Sequence, residues 1–339
     1  MTPARFQAIT EKYSRLRIAV VGDFCLDRYL EIDPAKQEIS LETGLPVHNV
    51  VNVRNQPGGA GTILNNLVAL GIGDIYPVGF SGDDGEGYEL RRALQMKPGV
   101  RLDHFLMLPE RRTFTYCKPL VLTPGKAPLE LNRLDTKNWS PTPAFVQGRL
   151  VDSVRQLATA VAPLILLDQV DVPETGVITA KLLEAVSRIS RELPELLIIA
   201  DSRRGLRDFP SVTFKMNSTE LALLAGQKPP MKLKTIKQVA LSLARRQDRE
   251  VFVTLAEEGI LGASPTGECE HVPAHPVRGE IDIVGAGDAV TANLTASLSA
   301  GASMREALEI ANAAASIVIH QLGTTGTASI SDINKLLVN

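Results

Sequence analysis

The sequence has few aromatic residues: Phe, Trp and Tyr make up 4% of 339 positions, with one tryptophan. Few rings are available to stack on a free base, which weighs against a nucleoside ligand. It has three cysteines, Cys25, Cys117 and Cys269, far apart and without a C-x-x-C pair. A disulfide framework and a structural zinc site are therefore not expected, and a reducing cytoplasm fits best. Lys+Arg 36 against Asp+Glu 38 leaves a formal charge of −2. No basic excess points to a nucleic acid or an anionic membrane. No apolar run approaches the ~20 residues that span a bilayer. The N-terminal MTPARFQAITEKYSRLR lacks the apolar core of a secretory signal. There is no G-x-x-x-x-G-K-[ST] phosphate loop and no G-x-G-x-x-G after the first strand, where Gly22 is followed by Asp23-Phe24-Cys25. HExxH, GxSxG and the protein-kinase set are missing too. Of five histidines only His271 and His275 lie close together, in an expected strand, so they are not expected to hold a metal.

What is present is 44% hydrophobic residues, enough for a sizeable core, over a length that suits two average domains or one large α/β unit. Short apolar runs alternate with helix-length amphipathic stretches. RIAVVGD (17–23), DIYPVGF (74–80), PLILLDQ (163–169), ELLIIADSR (195–203), VTFKMNS (212–218) and EVFVTLAEEG (250–259) read as strands. Helices are expected over 59–71, 85–96, about 173–193, 285–300 and 303–321. This alternation implies β-α-β units, a parallel sheet covered on both faces, and ligands at the carboxyl ends of its strands. Asp23, Asp168, Asp201 and Asn217 fall there. Two stretches break the pattern, EISLETGLPVHNVVNVRN (38–55) and RTFTYCKPLVLTPGKAPLELNRLD (112–135). Their β-type alternation predicts hairpins outside the main sheet, forming a small lid built from two separate insertions.

The sharpest motif is Asp282-Ile283-Val284-Gly285-Ala286-Gly287-Asp288 ahead of a helix. Small residues let the backbone turn tightly and expose successive N–H groups, and the helix adds its positive end. Together these suit a phosphate or a transferring phosphoryl group. Asp288 can accept a proton from an attacking hydroxyl there, or serve as an ordinary helix N-cap. Pro57-Gly58-Gly59-Ala60-Gly61 opens an earlier helix and allows a ligand to approach the backbone closely. Asp27 is a carboxylate in apolar company, suited to sugar hydroxyls or to a salt bridge with Arg28. Asn217 and Glu220 form a capping-box pair, and beside a phosphate site Glu220 could also order a hydrated Mg²⁺. Arg112, Lys118 and Arg133 in the second irregular stretch are candidate anchors for a substrate phosphate or simply a solvated face.

The early Gly-Gly helix start, the Asn217-x-x-Glu220 pair and DIVGAGD, in that order, resemble the ribokinase-like (PfkB) carbohydrate kinases from about Arg17 to Ser329. GDFCLDRYLE, PGGAGTILNNLVALG, NRLD and ANAAASIVIHQLGTTGT look most like the kinase domains that phosphorylate O1 of D-glycero-β-D-manno-heptose 7-phosphate. The resemblance implies a central, mostly parallel α/β sheet with helices on both faces and a small β-sheet lid. It implies one such domain over 1–339, with lid segments at about 36–56 and 111–135. It also implies an ATP- and Mg²⁺-dependent phosphotransferase acting on a sugar or sugar phosphate. Asp288 would be the base, and the Gly285, Ala286 and Gly287 amides the anion hole. Asp27, Gly58, Gly59, Thr62 and Arg133 would hold the sugar. Asn217, Glu220, Thr254, Gly259 and Asn312 would hold the nucleotide, with Glu220 reaching Mg²⁺ through water. Asp282 would lie beside a monovalent cation such as K⁺, and the lid would pair two subunits.

This sequence departs from the family pattern at Thr62, where relatives carry Asn, at Ala256 in place of Gly, and at Ile283 in place of Thr. Asp168-Gln169-Val170-Asp171 replaces a more familiar Asp-Tyr-x-Lys-Gly. These changes keep two rivals in view: a sugar- or nucleotide-binding sensor without turnover, and a nucleoside kinase.

Overall fold

A computed structural model of the chain describes residues 1–160 and 162–338. The first half runs α1 (Pro3–Thr10), β1 (Arg17–Gly22), β2 (Phe24–Ile32), β3 (Glu38–Ile39), β4 (Pro46–Val47), β5 (Val50–Gly59), α2 (Ala60–Ala69), β6 (Asp74–Gly82), α3 (Gly85–Gln95), β7 (Phe105–Leu108) and β8 (Phe114–Val121). Then come β9 (Leu129–Glu130), β10 (Leu134–Thr136), α4 (Ala144–Thr159), β11 (Leu164–Asp168), α5 (Ala180–Glu192), β12 (Ile198–Ser202), β13 (Thr213–Asn217) and α6 (Ser218–Leu224). The chain ends with α7 (Leu233–Gln247), β14 (Val251–Thr254), β15 (Ile260–Ala263), β16 (Cys269–Val272), α8 (Ala286–Ser299), α9 (Met304–Val318) and α10 (Ile330–Val338).

The main sheet has the order β16-β15-β14-β13-β12-β11-β1-β6-β7, all running one way except β15, which is antiparallel to both its neighbours. Its strands are apolar on both sides because both faces are covered. In β1, Ala19 and Val21 join the core beneath α4, α5 and α7, while Ile18 and Val20 face the core beneath α2, α8 and α9. The strand order reverses at β1, which lies between β6 and β11, so the loops leaving β1 and β11 part and open a crevice.

A second sheet, β10-β8-β2-β5 with β9 on β8, stands beyond the carboxyl end of β1. This corrects the expected lid. The two irregular stretches do contribute to it, but its central strand is β2, which pairs with both β5 and β8 and carries Asp27. The first expected strand ends at Asp23, and FCLDRYLEI beyond it forms a strand of the second sheet through partners far along the chain. Residues 38–47 form only the two-stranded β3–β4 hairpin. Gly59 ends β5 and is the N-cap of α2, and residues 173–179 precede α5 instead of starting it.

Asp23 joins the two sheets. It is 2% exposed, and its carboxylate accepts N–H bonds from Gln169 (2.9 Å), Val170 (3.3 Å) and Val177 (2.6 Å). It thereby pins the loop after β11 to the β1–β2 junction. Burial, aided by Asp168, raises its pKa to about 6 against the pull of those amides. Asp23→Ala leaves three buried donors without their acceptor and is expected to lower the unfolding free energy by about 3–5 kcal/mol. Urea denaturation checks this: a midpoint equal to wild type would show that the loop is held by other contacts.

Candidate active site

The carboxyl ends of the parallel strands and the start of α8 meet in one cleft. Gly285 caps α8 in the left-handed conformation (φ 84°). The preceding turn is held by Asp282, whose Oδ1 accepts from Val284 N–H (3.0 Å) and whose own N–H donates to Ile319 O (2.8 Å). Ala286 N–H donates to Ile283 O (3.2 Å). The next first-turn amides, Gly287 and Asp288, have no acceptor within the helix.

Asp288 lies in this first turn, partly open to the cleft. Burial of the carboxyl is the main cause of a rise in its pKa to about 7. Asp201 and Asp27 add to the rise and Lys215 opposes it.

Lys215 is a residue that the sequence reading passed over. It is 6% exposed near the end of β13, and its Nζ donates to Asp201 Oδ2 at 2.7 Å. Burial pulls its pKa down, but Asp201, with help from Asp288 and Glu220, outweighs this and leaves it raised. Lysine in an apolar strand is its only sequence signal. Thr291 Oγ1 also donates to Asp201 Oδ2 (3.3 Å), tying α8 to β12. A Cβ on Gly287 would sit 3.0 Å from Lys215 Nζ, so the glycine leaves room for the ammonium beside the helix start.

On one side of this point lies a cleft of about 510 Å³ lined by Asn217, Thr254, Gly259, Val277, Ile283 and Asn312 among others. Asn217 and Glu220 form the expected capping box: Glu220 N–H donates to Asn217 Oδ1 (2.9 Å) and Asn217 N–H to Glu220 Oε2 (2.7 Å). Asn312 Nδ2 donates to Pro273 O at 2.7 Å. Gly259 (φ 95°) is required by its conformation, and a Cβ there would collide with Val272 O. Ala256 also holds a positive φ, 51°, where glycine is the unstrained choice. His275 lines the cleft and His271 lies on β16 with Nε2 2.7 Å from Glu258 O. Among the described residues no His, Cys, Asp and Glu cluster could hold a metal ion.

On the other side is the β2 sheet. Asp27 is 6% exposed and faces Lys118 Nζ at 3.8 Å. Gly58 lies on the neighbouring strand, and a Cβ there would come within 2.5 Å of Asp27 Oδ2, so glycine gives the carboxylate its place. Gly59 (φ 57°) lies against Asp23 O. Thr62 is 2% exposed, with its methyl 3.6 Å from where a Gly285 Cβ would stand, so it packs beneath the DIVGAGD loop. Arg133 stacks over Tyr116 (5.0 Å) and pairs with Asp135 (3.1 Å). Arg112 is exposed at the lid base, its N–H bonded to Asn138 Oδ1. Asp168 is bonded by Ser202 Oγ and Arg204, both at 2.8 Å.

The model of the pfkB family carbohydrate kinases matches residues 16–330. The chain belongs to the PfkB family of carbohydrate kinases. As a PfkB protein it is a phosphotransferase with an alcohol acceptor. It is 29% identical over 327 residues to the "Bifunctional protein HldE" of Rhodopseudomonas palustris, covering 96% of this chain and 64% of that protein. It is 31% identical over 328 residues to the protein of the same name from Rhodospirillum rubrum, covering 95% and 62%. The chain thus spans less than two thirds of the length of these relatives. Phosphofructokinase-2 from Escherichia coli in complex with potassium superposes with a TM-score of 0.73 at 20% identity, covering 95% of this chain and 98% of that one. Arabidopsis thaliana ribokinase complexed with ribose and ATP gives 0.67 at 21%, with the same coverages. Both share the fold: a mostly parallel sheet covered by helices, with a small second sheet.

The strain at Ala256 generates a prediction. A left-handed conformation costs a residue with a Cβ about 1–2 kcal/mol. Ala256→Gly is therefore expected to stabilise the protein by up to about 1 kcal/mol, after allowing for the glycine's greater unfolded-state entropy. Thermal denaturation should show a rise in Tm, and a fall would mean that the loop carries no such strain.

Proposed function

We propose that this PfkB kinase transfers the γ-phosphoryl group of ATP to a hydroxyl of a sugar phosphate, with a heptose 7-phosphate, phosphorylated at O1, as the favoured acceptor. The observation that carries the reading is the meeting of Asp288, Lys215 and the α8 amides between the apolar cleft and the Asp27 face of the second sheet. Phosphoryl transfer needs placement and charge stabilisation more than covalent chemistry.

In this reading ATP occupies the cleft between Thr254, Gly259 and Asn312. Asp27, Gly58, Gly59, Thr62 and Arg133 hold the sugar. Asp288 accepts the proton of the attacking hydroxyl. The amides of Gly285 and Gly287 face the transferring group, with Lys215 adding a full positive charge. Ala286 N–H is engaged with Ile283 O in this state, so it takes part only if that bond is released.

Mg²⁺ fits the site. Asp201, Asp288 and Glu220 act on one ammonium, Lys215, so negative charge is in excess, and no cluster binds a metal directly among the described residues. Such a site suits an ion held by water and substrate phosphates, with Glu220 and Asn217 on its hydrated side. The ion would shield the charge of those phosphates. Asp282, in its turn beside Ile319, is the residue we assign to a monovalent cation such as K⁺.

The heptose preference rests on the sequence segments that resemble that kinase domain. We also assign the chain to a single catalytic unit, to the cytoplasm, and to a homodimer through the lid. For the dimer, Val53, Leu129 and Leu134 are exposed on the face of the second sheet opposite Asp27. Among the described residues no helix is long and apolar enough to cross a membrane.

The test is ADP formation with Mg²⁺ against heptose 7-phosphate, other sugar phosphates, free sugars and nucleosides. Asp288→Asn is expected to lower kcat roughly 100- to 10,000-fold while MgATP still binds. Near-normal turnover in this variant would remove Asp288 from the role of base. Its raised pKa sets a second expectation. The base must be ionised, so kcat/KM should fall as pH drops below about 7 and level off above it. A profile flat from pH 5 to pH 8, on the order of that range, would contradict the assignment.

A further inference from the structure

We propose that Gln56 is a positioning residue for phosphoryl transfer: it latches the sugar-side sheet to the loop that packs on the DIVGAGD turn. Gln56 lies on β5 beside Asp27 of β2. Its Nε2 donates to Thr325 Oγ1 (2.7 Å) and Tyr29 OH (3.2 Å), and its Oε1 accepts from Thr324 Oγ1 (3.2 Å). One side-chain amide thus grips two successive threonines, 268 and 269 residues away, through both its donor and its acceptor end.

The loop it grips is held at its base by Gln321, which donates to Thr327 O (2.8 Å) and accepts from Thr327 N–H (3.1 Å). Gln321 belongs to the same chain segment, so it fixes the shape of the loop but not its position against the sheet. Gln56 supplies that second restraint. Thr325 in turn packs on the N-terminus of α8: its Cβ is 3.6 Å and its Cα 3.7 Å from where a Gly285 Cβ would stand, with Thr62 closing the other side.

The grip also reaches the sugar side. Tyr29 OH accepts from Lys118 Nζ at 3.4 Å, and Lys118 faces Asp27 at 3.8 Å. Contacts therefore run from Asp27 through Lys118, Tyr29 and Gln56 to Thr325 and Gly285. A substrate that draws Asp27 and Lys118 onto itself acts on the residue that seats the anion site. Gln56 touches neither reacting group, so its effect on the reaction passes through Thr325 and Gly285. This inference rests on the proposed anion site at Gly285–Gly287.

Two measurements on the full chain decide it. The first is hydrogen exchange of residues 322–328 without ligand. Gln56→Ala and Thr325→Val should each speed exchange there roughly tenfold, with α4 and α5 unchanged, and the double variant should add little more. Wild-type exchange in both variants overturns the latch. The second is kinetics with MgATP and D-glycero-β-D-manno-heptose 7-phosphate. Each variant should lose kcat by roughly tenfold or more while the Kd for MgATP alone stays within about twofold. An unchanged kcat, or a loss confined to MgATP affinity, overturns the positioning role. A wild-type chain silent on this acceptor counts against the heptose reading alone, and the exchange measurement, which needs no acceptor, then decides the latch.

Discussion

The site depends on a constraint of parallel strands: all their carboxyl ends emerge on one edge. Asp168, Asp201, Asn217 and Thr254, from four different strands, and Asp23 just beyond a fifth, therefore stand along one line. α8 brings its N-terminus to that line, and the DIVGAGD turn meets β12 and β13 there. A sheet of mixed direction would have scattered these residues to both edges.

Gathering acids on one edge creates an electrostatic problem that the fold answers locally. Asp23 accepts from three backbone amides, Asp168 from Ser202 and Arg204, and Asp201 from Lys215 and Thr291. Asp288 lacks a close partner of this kind, and its pKa is the one that rises to about 7. Lys215 is bonded to Asp201, and burial is the main cause of the rise at Asp288.

Much of this was legible in the sequence, for identifiable reasons. The buried strands announce themselves as short apolar runs. The α8 start is marked by glycines that its backbone conformation and the nearby Lys215 require. The Asn217–Glu220 pair is a local bond pattern within four residues. Less legible were features whose partners lie far along the chain. β2 lies past the end of the first expected strand, and only pairing with β5 and β8 makes it part of another sheet. Lys215 looks like one polar residue in a strand until Asp201 is placed beside it. Gln56 has no local mark, because both of its threonine partners come from the other end of the sequence.

The sequence by itself determined the class of sheet, most of its parallel strands, the tight turn before α8 and the carboxylates at the strand ends. These depend on period, turn chemistry and capping, which act over a few residues. The tertiary structure alone decided which carboxylate holds Lys215, how the second sheet is built, and what joins it to the DIVGAGD turn. Those outcomes depend on distances between residues remote in sequence, and burial and charge act through such distances.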